Sequence, residues 1–141
     1  MPDYSKTPLV TKLGMKLGSR LLLINPPQGF VEELGTLPPD ATLIEDSGDP
    51  LDIVLLFVER EGELRERFEL LAARLIPTGM LWVAWPKKAS KVPTDLTFEI
   101  VQPIGLATGL VDNKMCAINA IWTGLRFVVR VENRPRVKKR P

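Results

Sequence analysis

The amino-acid sequence predicts a three-layer α/β domain: a mostly parallel sheet of about six strands that ends in an antiparallel hairpin. Three observations carry that prediction. Continuous apolar runs at 20–25 (RLLLIN) and 52–58 (DIVLLFV) are too short for helices and suit strands buried on both faces. The clearest helix, 61–76, follows the second run directly and leads into a third, 80–85 (MLWVAW), so the three make a βαβ unit, whose crossover is almost always right-handed. Two last strands, 114–118 and 125–131, are separated by a stretch short enough for a hairpin.

The remaining elements follow in order. Residues 1–18 are polar, with Pro2, Pro8, Gly14 and Gly18, and predict an irregular lead-in with a short helix near 9–13. Pro26-Pro27-Gln28-Gly29 stops the first strand, because proline cannot donate in a ladder and glycine opens the turn. A short helix is expected at 30–34, and a second strand at 41–45 (ATLIE), closed by Asp46-Ser47-Gly48-Asp49-Pro50. In the 61–76 helix, Leu64, Phe68, Leu71 and Leu75 form one apolar stripe, while Glu61–Arg65 and Glu63–Arg67 pair on the solvated side. Pro77-Thr78-Gly79 predicts a turn. Thr94 is the expected N-cap of another helix that stops at Pro103.

Composition sets limits on function. At 141 residues, 45% hydrophobic and 26% charged, the chain is an ordinary globular sequence long enough to bury its own core. Its net charge is +2, yet Arg134, Arg136, Lys138, Lys139 and Arg140 crowd the last eight residues, and without these five charges the remainder stands at −3. The division expected is one domain at 1–133 and a basic, disordered tail at 134–141. The tail lacks the interleaved aromatics of a single-strand binder, so nucleic acid is not the expected partner. No histidine is present, which removes Ser-His-Asp triads, Cys-His dyads and imidazole metal sites. Cys116 is the one cysteine, so an internal disulfide and a cysteine zinc cluster are both excluded. No secretory signal or membrane-spanning run is apparent, and a reduced, cytoplasmic location is the default expectation.

With the elements placed, the chain resembles a shortened class I methyltransferase, a Rossmann-like fold of parallel βα units closed by an antiparallel hairpin. LGMKLGSRLLLI looks like the lead into that fold's first strand, and LAARLIPTGMLWV like its helix-to-fifth-strand passage. In that family an acidic residue and a glycine-rich loop after the first strand hold S-adenosylmethionine. Here the loop is replaced by Asn25-Pro26-Pro27-Gln28-Gly29, whose two prolines lack N–H donors. The expectation is therefore that no cofactor is bound, S-adenosylmethionine included. Glu45 or Asp46 stands where the family's ribose-binding acid is found, or is simply a solvated turn carboxylate. The phrases TPLVTKLGMKLGSR, LWVAWPKKAS, TDLT, GLVDNKMCAIN and WTGLRFVVR also resemble an uncharacterised bacterial family of unknown function, which implies a small bacterial cytoplasmic protein.

The candidate ligand-binding residues lie in two stretches, 81–90 and 109–127, with Asp95 between them. Lys87 and Lys88 follow a strand's carboxyl end, where open α/β sheets bind ligands, and can hold a phosphate or carboxylate or else form a solvated loop. Asp112-Asn113-Lys114 is a polar triplet that can orient a base or ligand, or make a turn. Asp95 suits a helix start or a partner for either lysine. Arg126 can face solvent or the sheet end. Trp82, Trp85 and Trp122 suit the core, although Trp85 and Trp122 at strand ends can also wall a pocket. Cys116 reads as an inert buried thiol. Two functions fit these residues: a non-catalytic binding or regulatory protein on a degenerate methyltransferase-like scaffold, or an enzyme or nucleotide-binding protein acting on a small anionic ligand.

Overall fold

A computed structural model describes residues 7–133; the basic tail lies outside the described residues. The elements are α1 (Leu9–Lys12), β1 (Arg20–Ile24), α2 (Phe30–Leu34), β2 (Thr42–Ile44), β3 (Leu51–Phe57), α3 (Glu61–Ala73), β4 (Leu75–Pro86), α4 (Phe98–Leu106), β5 (Leu110–Ala117) and β6 (Trp122–Val129). Single 3-10 turns occupy Lys88–Ser90 and Val131–Asn133. The six strands form one sheet in the order β2-β1-β3-β4-β6-β5. β2, β1, β3 and β4 run parallel, and β6 is antiparallel to both β4 and β5. The expected mixed α/β sheet with its closing hairpin is thus present. No described helix is long and apolar enough to cross a membrane.

Alternation along the central strands builds a core on each face of the sheet. Val54, Leu56 and Val58, with Leu81, Val83 and Trp85, meet Leu64, Phe68 and Leu71 of α3 and Val101 and Ile104 of α4. On the other face Ile53, Leu55, Phe57, Trp82 and Ala84 meet Val10 of α1 and Phe30 and Leu34 of α2. Buried Trp82 also donates its indole N–H to the carbonyl of Leu13 (3.0 Å), which anchors the end of α1 to the sheet. All three tryptophans are buried, as expected.

Four local expectations change. The predicted turn at 77–79 lies inside β4, where pairing jumps from Leu51↔Leu75 to Ile53↔Met80. Residues 76–79 therefore bow out against Asp52 as an irregularity of the strand, which absorbs the proline without ending the ladder. The helix before it ends at Ala73, and Leu75 joins the sheet. Asp112-Asn113-Lys114, which turn chemistry would explain, lies within β5, and the β5–β6 register shifts between Asp112 and Lys114. Finally, α4 starts after Thr97 and runs past Pro103 to Leu106.

Packing explains why Pro103 does not end α4. The helix buries Val101, Ile104 and Gly105 against the sheet. A Cβ on Gly105 would overlap the ring of Phe127, which itself packs edge-on against Phe68 at 5.1 Å. Close contact at Gly105 thus sustains a helix whose own ladder is interrupted at the proline. Gly105→Ala is expected to destabilise the fold by about 2 kcal/mol through overpacking, measured by urea denaturation. At a helix position without this contact the same change stabilises by roughly 0.5–1 kcal/mol, so the sign of the effect is the test.

Candidate functional site

The order of the sheet selects one place for a ligand. β2 lies on one side of β1 and β3 on the other, so the chain reverses its direction of travel across the sheet between β1 and β3. In open α/β sheets a crevice opens at the carboxyl ends of the strands at such a switch point. Asn25 stands at that end of β1 in a left-handed conformation (φ 58°), and Gly29, also left-handed (φ 86°), begins α2. Asn25 donates its Nδ2 to Glu63 Oε2 of α3 (2.9 Å), and Glu63 pairs with Arg67 one turn on (3.6 Å).

Two shallow cavities flank Asn25. The first, about 380 Å³, lies between the ends of β1 and β2 and is lined by Leu22, Leu23, Ile24, Ile44, Glu45, Asp46 and Arg67 as well as Asn25. The second, about 360 Å³, lies over the end of β3 and is lined by Pro27, Phe57, Val58, Glu59, Glu63 and Trp122, again with Asn25. Phe57 and Trp122 meet edge-on there at 5.1 Å. Four carboxylates and one guanidinium line the pair of cavities. Such a cleft favours a ligand with cationic groups or hydroxyl donors over an anion.

The two acids after β2 are not equivalent. Asp46 accepts a hydrogen bond from Arg74 Nη2 (2.8 Å) and another from the amide of Gly48 (3.1 Å). These bonds, with Arg74 first, hold its carboxyl below the ordinary value of 3.8. Arg74 also donates to the carbonyl of Asp49 (2.9 Å), so Asp46 serves to fasten the loop after β2. Glu45 is exposed, and no described residue bonds it, which leaves its carboxylate for a ligand.

The start of α3 is the other wall, and a distant segment clamps it. Arg60 occupies the N-cap position without a side-chain cap. Asp95 supplies the missing acceptor, receiving the amide of Glu61 at 2.7 Å. Thr94, expected to cap α4, instead donates its hydroxyl to the carbonyl of Glu59 (2.6 Å). Glu59 and Glu63 are thereby held at the cleft by residues more than thirty positions along the chain.

The sequence-predicted site residues do not gather in one cleft. Trp122 walls the cavity over β3, whereas Trp85 is buried in the core on the α3 and α4 side. Lys88 is exposed on its 3-10 turn, and Lys87 lines a separate cavity beside α1. Asp112 turns toward α4, where Gln102 Nε2 donates to both its oxygens (3.1 and 3.2 Å). Asn113 accepts from Arg126 Nε (2.8 Å), and Arg126 lies over the Trp82 ring at 5.7 Å. Burial there lowers the Arg126 pKa from its ordinary value. Lys114 Nζ donates to the carbonyl of Lys12 (3.1 Å), near the end of α1. Burial pushes the Cys116 thiol up, away from the reactive thiolate. Asn25, Glu59 and Glu63 are not among the sequence candidates, whereas Glu45 is one of the two acids that the resemblance places at the ribose position. The available signal was the Asn25 and Glu45 positions, each directly after a strand.

No protein-family model matches the chain, and no curated protein matches it in sequence. Solved structures do match it. A SAM-dependent methyltransferase from Aquifex aeolicus aligns with 89% of this chain and 93% of its own, at 14% identity and a TM-score of 0.58. The ribosomal protein L11 methylase from Lactobacillus delbrueckii subsp. bulgaricus aligns with 92% of this chain and 81% of its own, at 9% identity and a TM-score of 0.59. The scaffold is methyltransferase-like. Aeropyrum pernix fibrillarin, which carries natively bound S-adenosyl-L-methionine, covers 87% of this chain and 74% of its own at 10% identity and a TM-score of 0.56. These neighbours overturn the expectation of no cofactor, since one is named SAM-dependent and another carries natively bound S-adenosyl-L-methionine. Loss of two N–H donors does not remove the loop. Left-handed Asn25 and Gly29 still bend the backbone at the switch point, and the prolines lie between them.

Two consequences are measurable. Asp95→Ala is expected to cost about 1 kcal/mol of stability, the usual value of a helix cap, while Asp95→Asn retains most of it; chemical denaturation of both variants reads this. Arg74→Met is expected to return the Asp46 pKa toward 3.8 in a carbon-detected carboxyl titration. Because the folded value is depressed, ionised Asp46 supports the native state at neutral pH. That support fades as the pH falls from about 4 through the lower folded value, and the Arg74→Met protein should lack this part of the acid dependence.

Proposed function

We propose that the chain is a binding or regulatory domain whose ligand is S-adenosylmethionine or a close adenosyl derivative, held across the carboxyl ends of β1, β2 and β3. The observation that carries this reading is the pair of cavities meeting at Asn25, on the topological switch point, with Glu45 available at the end of β2.

The residues present fit such a ligand. Glu45 offers two acceptor oxygens to a pair of ribose hydroxyls. Ile24 and Ile44, both half-buried, give an apolar flank for a purine. Glu59 and Glu63 supply negative charge for an ammonium and a sulfonium. The Pro26-Pro27 bend offers fewer amide donors than a glycine-rich loop, so side-chain carboxylates carry more of the recognition. When bound, S-adenosylmethionine supplies an electrophilic methyl group. The lysines and the arginine singled out for chemistry stand away from this cleft, which supports binding rather than turnover as the role.

Differential scanning fluorimetry with S-adenosylmethionine and S-adenosylhomocysteine tests the proposal, since a ligand of the native state raises its stability. Both are expected to raise Tm, and Glu45→Gln is expected to weaken binding about tenfold in calorimetry, equivalent to one lost charge-assisted contact. Absence of a shift with either compound at millimolar concentration would sink the reading. Accumulation of S-adenosylhomocysteine with a candidate acceptor would replace the binding role with a catalytic one.

A further inference from the structure

We propose that a second site, separate from the adenosyl cleft, binds an amphipathic carboxylate, with its apolar body in the cavity beside α1 and its anionic head at Lys87. The cavity measures about 700 Å³, within the range of roughly 300–1,000 Å³ usual for small-molecule sites. Its walls are α1, the loop after α2, and the β5–β6 turn. Leu9, Val10, Leu34 and Ile118 give it an apolar interior.

Charge at the rim selects the head group. The amide of Lys87 donates to the carbonyl of Ile121 (2.7 Å), which fixes its backbone beside the β5–β6 turn that lines the cavity. Its side chain is half-buried, so the stem lies along the wall, and no described residue pairs with the ammonium. Glu33 is the opposing carboxylate, and its Oε1 is already taken by Asn119 Nδ2 (3.0 Å). Lys12 lines the same cavity, and Lys114 reaches its carbonyl. The nearby Cys116 thiol is influenced by Lys114, Lys12 and Arg126 together, so this corner of the molecule carries positive potential. The adenosyl cleft carries the opposite sign, which separates the two ligands by charge.

The two sites share one structural element. Asn119 Oδ1 accepts the amides of Ile121 and Trp122, both at 2.9 Å, and so shapes the β5–β6 turn. Asn119 faces the cavity beside α1, and Trp122 walls the adenosyl cleft.

Isothermal titration of the full chain with decanoate, decan-1-ol and decylamine, each below its aggregation concentration, tests the proposal. Decanoate is expected to bind about tenfold more tightly than decanol, the ratio one charge-assisted contact supports, and decylamine more weakly than either. Lys87→Met should bring decanoate to the level of decanol without changing decanol binding or the thermal melt. Glu45→Gln should leave decanoate binding unchanged, which keeps this result independent of the adenosyl reading. Failure of decanoate to bind, equal binding of decanoate and decanol, or an undiminished preference for decanoate in Lys87→Met would each overturn the proposal.

Discussion

Burial of β3 and β4 on both faces is the constraint from which the rest of the architecture follows. A strand with no polar face needs a layer on each side. α3 and α4 cover one face and α1 and α2 the other. α3 must also carry the chain back across the sheet, so its apolar stripe of Leu64, Phe68 and Leu71 serves both as connection and as lid. The amino-terminal segment is short of helix, since α1 has a single turn. The buried hydrogen bond from Trp82 to Leu13 compensates by tying that turn directly to the central strand.

The cleft depends on elements that are distant in sequence but clamped to one another. α3 brings Glu63 to Asn25, yet the first turn of α3 lacks a cap of its own. The Thr94–Asp95 segment closes that turn from outside. Arg74, just past the far end of α3, fastens the loop that follows β2. A single helix is therefore fastened at both ends by long-range bonds, one end beside the cavity over β3 and the other to the loop that follows β2.

What could be read from the residues was whatever depended on apolar periodicity. RLLLIN, DIVLLFV and MLWVAW became strands because each has enough apolar length for a sheet and too little for a helix. Misplaced features were decided by partners distant in the chain. Thr94 and Asp95 carry local signs of a helix start, and they do serve a helix start, but it belongs to α3. Asp112 and Asn113 have turn chemistry, yet Gln102 and Arg126 satisfy their side chains within a strand. Pro103 marks a helix end by its missing N–H, and contact between Gly105 and Phe127 carries the helix beyond it. The lysines after Trp85 are marked as candidates only by their place at a strand's carboxyl end. That criterion ignores where sheet order reverses, which only the pairing of β1 with both β2 and β3 reveals.

The Asn25–Gly29 loop shows how one residue type can mislead about a site. A glycine-rich loop provides two separable properties: a backbone path open to left-handed conformations, and amide groups able to meet a ligand. Proline abolishes the second at its own position and leaves the first to its neighbours. Asparagine is among the few residues other than glycine that visit the left-handed region readily, and Asn25 does so here. Its side chain then reaches Glu63 and connects the loop to α3, a bond that no glycine could make. The loop has exchanged amide donors for a side-chain tie to an acidic wall. In the proposed adenosyl site, that exchange puts the burden of recognition on Glu45, Glu59 and Glu63 rather than on backbone amides, and their charge favours a cationic ligand over a nucleotide phosphate.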